Sequence, residues 1–301
     1  MKKFLSVICV LGLLSALLCG CGSQRETTEN PGTLPGIPEL PLKTSASQPS
    51  ATQPPVTEPP VTQPPVTQPP VTQPPLTEPP VTEPTRPSGK NGYVICIDAG
   101  HQEHANTDKE PLGPGSTEMK TKVSSGTQGR TTGVPEYIVT LQVALKLRKL
   151  LEERGYEVLM TRTSHDVDIS NVERAQMANE AGVDAFVRLH CNGVDNPEVN
   201  GLLTMCQTRS NPWIGDRYEA YRRLSQCVLE ETCRASGAKN MGIQETDTMS
   251  GINWCEVPTT LVEMGFMTNP EEDQQLVDDA YQDLLAEGIA NGIDAFLGIG
   301  R

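Results

Sequence analysis

Tyr93-Val-Ile-Cys-Ile-Asp98 is a short apolar run that follows the turn signal Asn91-Gly92, and it reads as a buried strand. A long polar, Gly-rich loop follows through to Thr132. Gly133-Val-Pro-Glu136 then opens a helix. Pro135 suits its first turn, Ile138, Leu141, Leu145 and Leu147–Leu151 form its apolar face, and Gly155 closes it. Tyr156–Thr161 reads as a second strand, and Ser170-Asn-Val-Glu173 is a capping-box start for a helix ending near Gly182. Asp184–His190 and Gly201–Cys206 read as the third and fourth strands. A long amphipathic helix over Asp216–Ser236 comes next, then a last buried strand at Thr259–Glu263 and helices near Pro270–Asp279 and Tyr281–Leu297. Strands alternating with helices predict an α/β fold: a single domain whose mostly parallel central sheet is flanked by helices on both faces.

That domain occupies residues 91–301, and what precedes it is a different polymer. Nineteen of the 26 prolines lie between Pro31 and Pro87. Residues 1–90 carry six acids and six bases, so the net charge of −14 belongs entirely to the C-terminal part, with 32 acids and 18 bases. Its 211 residues suffice for one substantial core. So acidic a domain does not bind nucleic acid by phosphate neutralisation. The composition also excludes a multi-pass membrane protein and a basic wall-binding module.

Lys2 and Lys3 precede an apolar run from Phe4 to Leu18, which reads as an export signal over residues 1–20. The run is too short for the ~20 residues that span a bilayer. Leu18-Cys-Gly-Cys21 resembles the lipobox of bacterial lipoproteins, which implies a lipid on Cys21, although Cys19 replaces the more usual small residue. Each buried CH₂ of such a chain adds ~0.8 kcal/mol of membrane affinity. Residues 21–90 then form an extended linker. Within it, Pro54–Glu83 is six pentads of Pro-Pro-(Val/Leu)-Thr-(Gln/Glu). Paired prolines fix φ and remove donors, so this stretch is expected to be polyproline II, spanning ~90 Å at ~3.1 Å per residue. The expected location is extracytoplasmic, anchored to the bacterial membrane through Cys21.

In an open α/β sheet, ligands gather outside the C-terminal strand ends. Four ionisable residues fall on that edge: His101 after the first strand, Glu136 at the start of the returning helix, His190 closing the third strand and Glu263 closing the last. Two histidines and a carboxylate are a common ligand set for catalytic zinc, and a second carboxylate nearby is the natural general base. Glu118 rivals Glu136, but a rigid helix start positions a ligand better than a loop does. His104 forms a His-x-x-His pair with His101, yet a loop does not hold the helical face such a pair needs; His165 reads as a loop residue. Glu263 sits inside an apolar run, where an unpaired carboxylate is costly. Asp98 could orient a ligand imidazole or merely end its strand. Cys96, Cys191, Cys206, Cys227, Cys233 and Cys255 include no Cys-x-x-Cys pair, so they read mostly as small buried residues and not as a metal site.

Five strings in order resemble the zinc-dependent N-acetylmuramoyl-L-alanine amidases often called amidase type 3. They are Ile97-Asp-Ala-Gly-His101, Gly133-Val-Pro-Glu136, Arg174-Ala-Gln-Met-Ala-Asn179, Arg188-Leu-His-Cys-Asn192 and Leu261-Val-Glu-Met-Gly-Phe-Met-Thr-Asn269. The resemblance covers roughly Val94 to Leu297. It implies that His101, Glu136 and His190 bind Zn²⁺, that Glu263 is the catalytic glutamate, and that peptidoglycan is the substrate, cut between N-acetylmuramic acid and L-Ala of the stem. Asp98, Arg188 and Asn192 are further candidates for supporting the ligands or touching substrate. Two departures bear on substrate fit: the segment Gln102–Thr132 is longer than in the shortest members, and Arg188 stands where many members have a small residue. The rival expectations are a zinc peptidase acting on the stem peptide and a lipid-tethered, non-catalytic wall-binding or activator module. The sequence names no activating protein partner.

Overall fold

All six side chains of β1 (Val94–Ala99) are buried, as a central strand covered on both faces requires. The computed structural model describes residues 89–300; the export segment, Cys21 and the proline-rich pentads lie outside the described residues. After β1 come a hairpin of β2 (Asn106–Pro111) and β3 (Met119–Val123), helix α1 (Glu136–Glu153), β4 (Glu157–Met160), α2 (Asn171–Ala181), β5 (Ala185–Asn192) and β6 (Leu202–Cys206). A single 3₁₀ turn then leads into α3 (Tyr218–Ser236), β7 (Asn240–Glu245), the short α4 (Ser250–Asn253), β8 (Thr259–Phe266), α5 (Pro270–Leu276) and α6 (Asp279–Leu297).

The main sheet runs β4-β1-β5-β8-β6-β7. β1 pairs in parallel with β4 and β5, and β5 with β8, whereas β6 is antiparallel to β8. The sheet is therefore mostly parallel, with helices on both faces. Ile95 and Ile97 of β1 pack into the main core beneath α1, α3 and α6, while their neighbours Val94 and Cys96 point to the opposite face and meet α2. The six domain cysteines are unbridged; Cys96, Cys191, Cys206 and Cys255 are buried among apolar side chains. Among the described residues, no helix is long and apolar enough to cross a membrane.

The capping box at Ser170 forms as expected, and Gly182 takes the left-handed conformation that ends α2. Four elements, β2, β3, β7 and α4, were not legible. The expected loop through Thr132 contains the β2–β3 hairpin, and β7 and α4 were not foreseen. β2 (Asn-Thr-Asp-Lys-Glu-Pro) carries no apolar alternation, and the mostly exposed β7 (Asn-Met-Gly-Ile-Gln-Glu) has only Met241 and Ile243 about a glycine, so little local marks them as strands. The hairpin is held by docking instead. Trp254 Nε1 donates to Pro111 O (2.9 Å), Asn253 Nδ2 to Leu112 O (3.1 Å), and the buried Glu110 accepts from Ser250 Oγ and from Val172 N.

Candidate active site

β1, β5 and β8 deliver their C-terminal ends to one cavity of about 560 Å³, lined by His101, Glu136, His190 and Glu263 among others. His101 leaves β1 with φ of 59°, the one positive φ outside glycine among the described residues. A strained backbone of this kind persists only where its surroundings hold it. Here Nδ1 lies 2.9 Å from the carbonyl of Ser124, to which it donates, so Nε2 is left for a ligand. Glu136 is the first residue of α1. Its Oε2 accepts from Thr127 N (2.8 Å) and its Oε1 from Cys191 N (2.9 Å). His190 lies on β5 opposite Glu263 on β8, in parallel register. Gly100 is needed beside it: a Cβ there would stand 2.5 Å from the His190 ring.

Three donor atoms converge. His101 Nε2 lies 3.2 Å from Glu136 Oε1, His190 Nδ1 lies 3.1 Å from the same oxygen, and the two ring nitrogens are 3.1 Å apart. Tetrahedral zinc with bonds of ~2.0–2.1 Å sets its ligands ~3.3 Å apart, so this near-equilateral triangle fits one face of such a site. Its chemistry fits as well. Burial opposes ionisation of Glu136, but hydrogen bonds with His101 and His190 outweigh it and hold the carboxyl well below the usual carboxylate range. Burial also lowers the His190 pKa, which favours the neutral imidazole that binds metals.

Glu263 stands apart from the triangle in the same cavity. Its Oε2 is sealed from solvent and has no hydrogen-bond partner among the described residues. Burial, reinforced by the negative charge of Glu136, pushes its carboxyl up to about 8. A buried acid left with a high proton affinity is unfavourable for stability and suited to proton transfer.

Asp98 touches no imidazole; it is fully buried, with its oxygens taken by Arg174 (2.8 Å), Arg188 (2.9 Å) and Thr161 (2.6 Å). Arg188 lines the cavity floor and also donates to Asn171 Oδ1 (2.7 Å). Asn192 lines the cavity, with its Oδ1 accepting from Gly193 N. Glu118 is exposed and pairs with Lys120, and His104 is exposed; neither joins the convergent donors. His165 lies in a loop with its ring edge against Tyr137.

Sequence reasoning gave no role to two features. The Ser124–Thr127 segment straps both His101 and Glu136 through main-chain atoms, which leave no trace in side-chain identity. Arg174, fully buried, binds Asp98 and the carbonyls of Ile169, Ala99 and His101, tying α2 to the turn that carries His101. An arginine on the otherwise apolar face of a capped helix is the signal that marks it.

A family model described as N-acetylmuramoyl-L-alanine amidase matches residues 95–295. The chain is 26% identical over 210 residues to N-acetylmuramoyl-L-alanine amidase AmiA of Salmonella typhimurium, covering 58% of this chain and 72% of that one. It is 30% identical over 171 residues to N-acetylmuramoyl-L-alanine amidase CwlM of Bacillus licheniformis, covering 56% of this chain and 63% of that one. Among solved structures, the N-acetylmuramyl-L-alanine amidase Ami1 of Mycobacterium smegmatis superposes with a TM-score of 0.63 at 26% identity, over 69% of this chain and 98% of that one. The sheet order, the convergent donors and this match over most of the described residues agree, and the chain belongs to the N-acetylmuramoyl-L-alanine amidase family.

Proposed function

We propose that this chain is a zinc-dependent peptidoglycan hydrolase that cleaves the amide between N-acetylmuramic acid and L-Ala of the stem, with His101, Glu136 and His190 holding the ion and Glu263 carrying the proton. One observation carries the reading: three donor atoms 3.1–3.2 Å apart share a cavity with a sealed, unpartnered carboxyl. Zinc, when bound, supplies the Lewis acidity that activates water and polarises the amide carbonyl. The Ser124 carbonyl fixes the tautomer of His101, and the main-chain donors of Thr127 and Cys191 fix both oxygens of Glu136. Glu263 takes the proton that the attacking water loses and delivers it to the departing L-Ala nitrogen. Transfer of this kind contributes roughly 10²–10⁴-fold.

We further propose the division suggested by the sequence: an export signal over 1–20, a tether over 21–90 acylated at Cys21, and the catalytic domain over 91–301. An acidic domain is repelled by anionic wall polymers, so the lipid anchor and spacer, not wall affinity, hold the enzyme outside the membrane.

The test is zinc content together with mass spectrometry of digested peptidoglycan. The expected products are intact stems beginning at L-Ala and unsubstituted muramic acid, from protein containing one zinc per chain. Stems trimmed while still attached to muramic acid would instead identify a peptidase, and intact peptidoglycan with metal-loaded protein would identify a non-catalytic module.

A further inference from the structure

The cavity has a second, basic end. Beyond the four acid and imidazole groups it is lined by Lys120 and Thr121 of β3, Asn171 at the start of α2, Arg188 and the segment from Thr248 to Gly251. Two cations line one cavity, Arg188 and Lys120, the latter also paired with the exposed Glu118 at 3.3 Å, in a domain with a net charge of −14. The arginines beneath the floor also outnumber the carboxylate they pair with, while the buried Glu110 bonds Ser250 of the same wall. Arg162, Arg174 and Arg188 are all buried, yet among the described residues their one carboxylate partner is Asp98. Arg188 uses Nε on Asp98 and Nη2 on Asn171, and its Nη1 makes no hydrogen bond among the described residues. Gly251 is shaped to this group, since a Cβ there would stand 2.1 Å from Nη1. Lys120 lines the cleft from a fixed wall: Asn171 Nδ2 donates to Lys122 O (2.8 Å), and the hairpin is pinned by Asn253 and Trp254. The hairpin is therefore a built side of the cleft.

We propose that this basic end is a carboxylate subsite, in which Lys120 and Arg188 bind the free α-carboxylate of the second stem residue, so that stems with isoglutamate are preferred over stems with isoglutamine. The proposal rests on the amidase reading above. Reach supports this carboxylate: Arg188 and His190 lie on one face of β5, ~7 Å apart along the strand. The α-carboxylate of the second residue lies ~6 Å from the scissile nitrogen, one residue step away. A carboxamide at the same place would present an uncharged group to two cations and lose charge-assisted hydrogen bonds.

The experiment uses the zinc-loaded full chain and two synthetic substrates, muramoyl-L-Ala-D-isoglutamate and muramoyl-L-Ala-D-isoglutamine, each extended by lysinamide so that residue two carries the one carboxylate difference. The isoglutamate substrate should show a kcat/KM higher by about tenfold or more, mainly through KM. Lys120→Gln and Arg188→Lys should each reduce that ratio. Arg188 leans on Asp98, so should its variant fail to fold, Lys120→Gln, on the exposed hairpin, decides alone. Equal kcat/KM in the wild type, or an unreduced ratio in the folded variants, overturns the subsite. Cleavage of neither substrate would sink the amidase reading instead. Calorimetric binding of the two free tripeptide amides then decides the subsite: about tenfold tighter isoglutamate binding supports it, and equal binding overturns it.

Discussion

Replacing Glu263 by glutamine should do two opposite things, cutting turnover and stabilising the fold. In the metal-free protein, burial beside Glu136 raises this carboxyl from 4.5 to about 8. A carboxyl whose pKa is higher folded than unfolded disfavours folding progressively as pH rises from the unfolded value to the folded one. At pH 7 the interval above 4.5, at ~1.36 kcal/mol per pH unit, makes the penalty about 3 kcal/mol. At pH 8 and above it levels off near 5 kcal/mol. Glutamine has the shape of the protonated acid and buries similar polar atoms, so the variant avoids the ionic part alone. Chelator-treated wild type and Glu263→Gln should therefore be equally stable near pH 4.5 and diverge as pH rises. The gap at pH 7 is worth ~6–12 °C in Tm for a domain of this size. Urea melts followed by circular dichroism across pH 4.5–8.5 measure the divergence, and turnover of the zinc-loaded forms measures the roughly 10²–10⁴-fold loss. A stability difference that does not change with pH, or a glutamine variant with near-normal turnover, would refute the assignment.

His190→Ala removes one corner of the donor triangle, and metal analysis should show zinc falling well below one per chain; unchanged stoichiometry would count against His190 as a ligand. Asp98→Asn leaves Arg174 and Arg188 without their shared carboxylate and should cost about 3–5 kcal/mol at neutral pH by denaturant titration. Because those arginines hold the Asp98 carboxyl well below its ordinary range against the opposing effect of burial, its contribution is complete above ~4 and shrinks as pH falls further. A gap that widens in acid would contradict this. Cys21→Ala should release the protein to the medium, and continued fractionation with membranes would argue against acylation at that position.

Local sequence determined most of the secondary structure, because its causes are local. The apolar run around Ile95, the Ser170 capping box and the Gly182 stop each act within one or two turns of chain, and all three recur in the structure. The placement of His101, Glu136, His190 and Glu263 on one edge was also legible, since a parallel sheet sets strand ends there whatever its side chains. Whether three of them would converge, with Glu263 in the same cavity, was a matter of tertiary structure. Ångström distances depend on the register between β5 and β8, on the positive φ at His101 and on main-chain donors from the Ser124–Thr127 strap, which no side-chain pattern encodes. The same holds for Asp98, whose partners Arg174 and Arg188 lie 76 and 90 residues away along the chain. Strand and helix periods are read from neighbours, whereas charge compensation and cavity shape arise from residues that meet only after the sheet has closed.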